Sequence, residues 1–152
     1  MDWGVFRGRV SLLCVGNELS GDDGVGAFVA EGLAGLSGAQ VIYAHTAPEN
    51  FIDEVREYRP QKAVVIDAAD FGGRPGEIRL LEAKALQAAH FSTHRAPMRL
   101  LIGALEAAGI GVAVVGVQAA GMGLGEPMCR EVEEAAREII DSVKSVRKCR
   151  LI

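Results

Sequence analysis

What this chain lacks narrows it first. Its three cysteines (Cys14, Cys129 and Cys149) are scattered through 152 residues with no C-x-x-C spacing. That excludes a disulfide framework and points to reduced thiols in a cytoplasmic protein. No apolar run approaches the roughly 18 residues of a membrane span. The opening "MDWGVFRGRV" has no basic segment leading into an apolar one, so no secretory signal is expected. Positive charge is also short: Lys and Arg number 16 against 20 Asp and Glu, for a net charge of −4. Nucleic acid and anionic membrane both need a basic face to displace counterions, so neither is an expected partner. No Pro/Ser-rich or charge-block linker divides the chain, which suits a single domain over 1–152 with its core at about 9–146. G-x-S-x-G and H-E-x-x-H are both missing, and Cys14 sits inside an apolar run where a thiol is usually inert. An enzyme with no activated nucleophile has metal-bound water as the more credible attacking group.

What is present is an alternation of apolar runs with helix-period stretches. "RVSLLCVG" (9–16), "AQVIYAHT" (39–46), "KAVVIDAAD" (62–70) and "GVAVVGVQAA" (111–120) read as buried strands. "DGVGAFVAEGLAGL" (23–36), "PENFIDEVREY" (48–58), "APMRLLIGALEAAG" (96–109) and "EPMCREVEEAAREIIDSVKSV" (126–146) read as helices. "RPGEIRLLE" (74–82) alternates after a Pro-Gly turn, as a half-exposed edge strand does. The tail "RKCRLI" reads as loose. The expected fold is therefore α/β, with a twisted, mostly parallel five-stranded sheet, helices on both faces and one antiparallel edge strand. In such sheets ligands bind where loops leave the carboxyl ends of the strands, near the point where strand order reverses.

The first of those loops, "GNELSGDDGVG" (16–26), sets four glycines around Glu18, Asp22 and Asp23. A dinucleotide fingerprint fails because the glycine spacing is wrong and the acidic pair stands where pyrophosphate would lie. A phosphate loop needs lysine after Gly21, and Asp22 is there instead. A carboxylate at that point repels phosphate at close range. Helix capping is the competing explanation, since Asp is a favoured N-cap and complements the helix dipole. It suits Asp22 but leaves Asp23 unexplained, because four glycines are not needed to cap a helix.

Asp67 ends the apolar run "AVVI" at the carboxyl end of a central strand. A buried Asp there either pairs or binds metal, or accepts hydrogen bonds from the next loop. Asp70, before Gly72 and Gly73, reads as turn chemistry. Of the three histidines, His45 closes a strand and His90 lies in an alanine-rich stretch. His94 sits in "STHRAP" just before a helix, where its ring can point into the cleft. Asp23, Asp67 and His94 thus fall on one expected rim, and two carboxylates with one imidazole suit a borderline divalent metal with open positions.

These loops carry a resemblance. "LLCVGNELSGDDGVG", "TAPENFIDEVREYRP", "VVIDAADFGGRPGEIRLL", "STHRAP" and "VVGVQ" occur in this order in the hydrogenase maturation proteases, and the chain is most similar to the formate-hydrogenlyase (hydrogenase 3) type over about residues 10 to 143. The resemblance implies an endopeptidase that removes the C-terminal extension of a nickel–iron hydrogenase large-subunit precursor after nickel insertion. It implies that Asp23, Asp67 and His94 form the nickel-binding, catalytic triad. The nickel would be supplied by the substrate, and other divalent metals could occupy the site. It also implies a monomer that pairs transiently with the precursor. One departure is visible: the family often has G-[IV]-Q-P after the last strand, whereas Gly116-Val117-Gln118 is followed here by Ala119. A non-catalytic metal-sensing chaperone of the large subunit is the rival function, because no nucleophile is evident. A nucleotide-binding α/β protein is the other, disfavoured by the acidic loop.

Overall fold

The computed structural model describes residues 1–82 and 95–149. Five strands form one sheet: β1 (Val10–Val15), β2 (Gln40–His45), β3 (Lys62–Ala69), β4 (Ile78–Glu82) and β5 (Gly111–Gln118), in the order β2-β1-β3-β5-β4. β2, β1, β3 and β5 run parallel, while β4 pairs antiparallel with β5 at the edge. The helices are α1 (Val25–Gly32), α2 (Ile52–Tyr58), α3 (Arg95–Ala107) and α4 (Arg130–Lys148).

All six residues of β1 and seven of the eight in β3 are buried. Side chains on a strand alternate between faces, so unbroken apolar runs require cover on both. Leu12, Cys14, Val64, Ile66, Val115 and Val117 share one core with Val25 and Val29 of α1 and with Ala136, Ile139 and Val143 of α4. Leu13, Val15, Val65, Ala69 and Val114 share the other with Val55 of α2 and with Leu101 and Leu105 of α3. α4 buries Val132, Ala135, Ala136, Ile139, Ile140 and Val143, a stripe that returns every three or four residues.

Several elements are shorter than their patterns suggest. The helix expected from residue 23 is a 3₁₀ turn (Gly21–Gly24) followed by the eight residues of α1, and the one expected from residue 48 opens as a 3₁₀ turn at Pro48–Phe51. A further 3₁₀ turn, Trp3–Phe6, has no periodic signal in the sequence. The tail reading is overturned for its first residues, since α4 continues to Lys148. Arg147 ties the end of that helix to the chain's beginning. Its guanidinium donates to the carbonyls of Phe6 (3.1 Å), Gly8 (3.3 Å) and Gly38.

The end of β1 and the start of α1 touch backbone to backbone. A Cβ on Gly26 would sit on the Val15 carbonyl oxygen and 2.7 Å from the Val15 nitrogen. Backbone cannot rotate away as a side chain can. In a Gly26→Ala variant, overpacking of about 3 kcal/mol outweighs the roughly 1 kcal/mol that alanine gains in helix propensity. The midpoint of urea unfolding is expected to fall by about 1 M, and an unchanged midpoint would show that the contact can relax.

Candidate functional site

Strand order reverses between β1 and β3. The chain leaves β1 for β2 on one side, then crosses back to place β3 on the other. In α/β sheets it is at such a switch point, outside the carboxyl ends of the two strands, that ligands bind. Asp23 lies in the turn that follows β1, and Asp67 lies two residues before the end of β3. The turn Gly21–Gly24 packs against β3, so the elements carrying the two carboxylates are in contact.

The glycines of the first loop serve close approach. Gly16 has φ +137°, and a Cβ there would collide with the Asp23 carbonyl oxygen. The chain can therefore fold back over the end of β1 only with glycine at that position. Gly16 N–H donates to the His45 carbonyl (2.7 Å), and the Tyr43 hydroxyl donates to the Gly16 carbonyl (3.1 Å), which fixes the loop to β2. Inside the loop, Asp23 Oδ2 accepts from Asn17 N–H at 2.9 Å, and Asn17 Oδ1 accepts from Leu19 N–H at 2.9 Å. Asp23 ends up 6% exposed and Asp67 4%.

Asp22 does not cap its own helix. Its carboxylate reaches across the rim to residues about a hundred positions away: it accepts from Ala120 N–H (2.7 Å), Gly121 N–H (3.1 Å) and Cys129 N–H (2.7 Å). Cys129 stands just before α4, so Asp22 caps that distant helix and braces the loop after β5. The two loops also bond through their backbones, Asp22 N–H to Gly121 O (2.9 Å) and Gly125 N–H to Leu19 O (2.8 Å). Burial works to raise the Asp22 pKa, but the three N–H donors outweigh it and hold the carboxyl below its ordinary value. Nothing in the local sequence signals this role.

Asp67 projects toward the α2 and α3 face, the face of Val65 and Ala69, with Gly116 of β5 beside it in register. The loop that follows β3 is held largely by other residues. Gln118 Oε1 accepts from Phe71 N–H (2.9 Å) and Gly73 N–H (3.1 Å), and Asp70 Oδ1 accepts from Gly72 N–H (3.2 Å) as turn chemistry requires. Gln118, 5% exposed at the end of β5, also donates to Asp70 Oδ1 at 3.2 Å. It is a residue that sequence reasoning placed only inside a motif. Its neighbour Ala119 donates its N–H to the Ala69 carbonyl at 3.0 Å, which extends the β3–β5 ladder by a step that proline could not make.

The thiols of Cys14, buried, and Cys129, half-buried, are poor nucleophiles. Burial pushes Cys14 up to about 12. Cys129 is raised by burial and then by the Asp22 carboxylate, whose Oδ2 its Sγ approaches at 3.5 Å.

His90 and His94 lie outside the described residues. Among the described residues, no group of three or more His, Cys, Asp and Glu is placed to hold a metal ion. Of the three candidates, Asp23 and Asp67 lie on touching elements, and His94 is outside the described residues. Both carboxylates are nearly buried, and carboxylate oxygen is the ligand type that a hard or borderline divalent cation takes. No helix among the described residues is long and apolar enough to cross a membrane.

The comparison with known proteins decides the family. The sequence profile of the hydrogenase maturation protease family matches residues 32–146. The chain is 36% identical over 131 residues to the hydrogenase 3 maturation protease of Escherichia coli strain K12, covering 84% of each. This chain is a hydrogenase maturation protease family member. Its fold agrees with two solved relatives. One is the endopeptidase HycI from Escherichia coli in solution, with TM-score 0.80, 34% identity and 90% of each chain covered. The other is the [NiFe] hydrogenase maturation protease HycI from Thermococcus kodakarensis, with TM-score 0.84, 27% identity and coverage of 96% of this chain and 97% of that one. The profile match includes Asp67 and begins after Asp23.

Proposed function

We propose that the chain is the endopeptidase that removes the C-terminal extension of a nickel–iron hydrogenase large-subunit precursor, and that it recognises the nickel the precursor already carries. One observation supports this most: in a maturation protease, two carboxylates are buried on touching elements beside the sheet's switch point, where ligands of α/β sheets bind. Charges in that position are costly unless a cation or other partner meets them.

In this reading Asp23, Asp67 and His94 supply part of a coordination shell, and the precursor supplies the nickel together with its remaining ligands. A precursor without nickel then lacks the group that docks it, which makes maturity and recognition one event. When bound, the cation supplies Lewis acidity toward a water or a peptide carbonyl. The protein's own contribution is positioning. Asn17 N–H fixes the Asp23 carboxylate, β3 fixes Asp67, and the Asp22 brace holds the turn that carries Asp23. One water is consumed, and one peptide bond becomes a carboxylate and an amine. The precursor is the transient partner, met by a monomer in the cytoplasm.

The test is a cleavage assay on precursor prepared with and without nickel, read by intact mass. The expected result is loss of the tail only from the nickel-loaded form, and no loss with a His94→Ala variant that keeps its circular dichroism. Equal cleavage of both forms would remove the nickel-recognition reading, and tight binding without cleavage would favour a chaperone.

A further inference from the structure

The two clamped loops display something the chemistry above does not use. Leu19 is 64% exposed and Leu124 is 79% exposed. Single exposed leucines are ordinary on a protein surface. These two are not independent, because Gly125 N–H donates to the Leu19 carbonyl at 2.8 Å, which sets their backbones side by side. The loops that carry them are stiff. Gly21 N–H donates to Glu126 O (3.1 Å) and Asp22 N–H to Gly121 O (2.9 Å), while the Asp22 carboxylate takes three further N–H groups from the second loop and the start of α4. Leu19 stands four residues before Asp23, on the same rim. An apolar pair held rigidly at the mouth of a crevice loses little conformational entropy when a ligand covers it.

The charge around the pair selects the ligand. Neither 16–26 nor 118–128 contains a lysine or arginine, whereas Glu18 and Glu126 are exposed close to the leucines in sequence, and Asp22 and Asp23 follow Leu19 in the same loop. A second copy of this chain would bring the same acidic rim against itself, and like charges in contact are costly. The complementary partner is apolar and basic.

We infer that Leu19 and Leu124 are the docking surface for the precursor, taking an apolar, positively charged segment of its chain next to the scissile peptide bond. This rests on the proposed endopeptidase function and adds a specificity determinant to it. The leucines supply affinity by burial, and the acidic rim rejects acidic segments and steers basic ones.

The experiment compares the wild-type chain with a Leu19→Ser/Leu124→Ser double variant on a nickel-loaded nickel–iron hydrogenase large-subunit precursor. Steady-state cleavage is expected to show KM raised roughly thirtyfold with kcat within about twofold, since both changes lie outside the crevice. Calorimetric binding of the same precursor is expected to weaken by a similar factor. Glu18→Gln is expected to weaken binding severalfold and to flatten its dependence on salt. Circular dichroism checks that the exposed substitutions leave the fold intact. An unchanged KM and Kd in the double variant would overturn the inference. So would a wild-type dimer in ultracentrifugation that the double variant abolishes without a change in precursor binding. A Glu18→Gln variant that binds more tightly would overturn the basic character of the segment. A wild-type chain that cleaves no precursor sinks the endopeptidase reading alone, because the binding measurement still decides the docking surface.

Discussion

An Asp22→Asn variant is expected to lose about 3 kcal/mol of stability at neutral pH, a fall of about 8 °C in Tm for a chain of this length. The substitution keeps the size of the side chain and changes only its hydrogen-bonding character. Three backbone N–H groups, from Ala120, Gly121 and Cys129, point at the carboxylate. An amide offers one acceptor oxygen and sets an NH2 against the remaining donors, so a buried N–H loses its partner and a charge-assisted bond is lost. The pH profile distinguishes this from a packing defect. The folded-state pKa of Asp22 lies below the ordinary value, so its contribution is complete above the unfolded pKa and is lost as pH falls through the folded one. The gap between wild type and variant is therefore expected to close as the pH drops below about 4. Thermal melts at pH 7 and pH 3 measure it, and a gap that persists unchanged in acid would contradict the brace.

The second large effect concerns activity. Asp23→Asn and Asp67→Asn each remove a charge while preserving shape, and each is expected to reduce precursor processing by at least about a thousandfold, or roughly 4 kcal/mol of transition-state stabilisation. If the two carboxylates hold one cation, as proposed, the double variant is expected to be little worse than either single one, because such ligands act as a unit. Stability should hold within about 1 kcal/mol or rise, since a buried charge has been removed. Processing that survives within tenfold in either variant would detach that carboxylate from the chemistry. Calorimetric nickel binding to the precursor complex provides an independent reading of the same loss.

Much of the fold was open to a physical reading of the residues. Parallel strands covered on both faces have to be continuously apolar, and "VSLLCV" and "AVVI" are. Asp67 stands out because it interrupts such a run. Asp23 stands out because no phosphate chemistry tolerates it beside Asp22. Other features were hidden for reasons of distance. The donors to Asp22 lie 98, 99 and 107 residues further along the chain, and no local pattern encodes a bond of that span. Arg147 looked like part of a loose tail because its acceptors are the carbonyls of Phe6, Gly8 and Gly38, and carbonyls leave no mark in a sequence. The 3₁₀ turns were absorbed into neighbouring helices because four residues are too few to show a period. Ala119 was legible as a departure from the family's proline, but its meaning was not. The structure shows that alanine supplies an N–H the ladder uses.

The brace between residue 22 and residues 120–129 has a bearing on biosynthesis. During translation Asp22 and Asp23 leave the ribosome early, while Ala120, Gly121 and Cys129 follow about a hundred codons later. Until that last stretch emerges, the turn bearing Asp23 has β3 to pack against but lacks the N–H groups that hold Asp22. A chain ended before α4 would lack the Cys129 N–H and leave the hold on Asp22 incomplete.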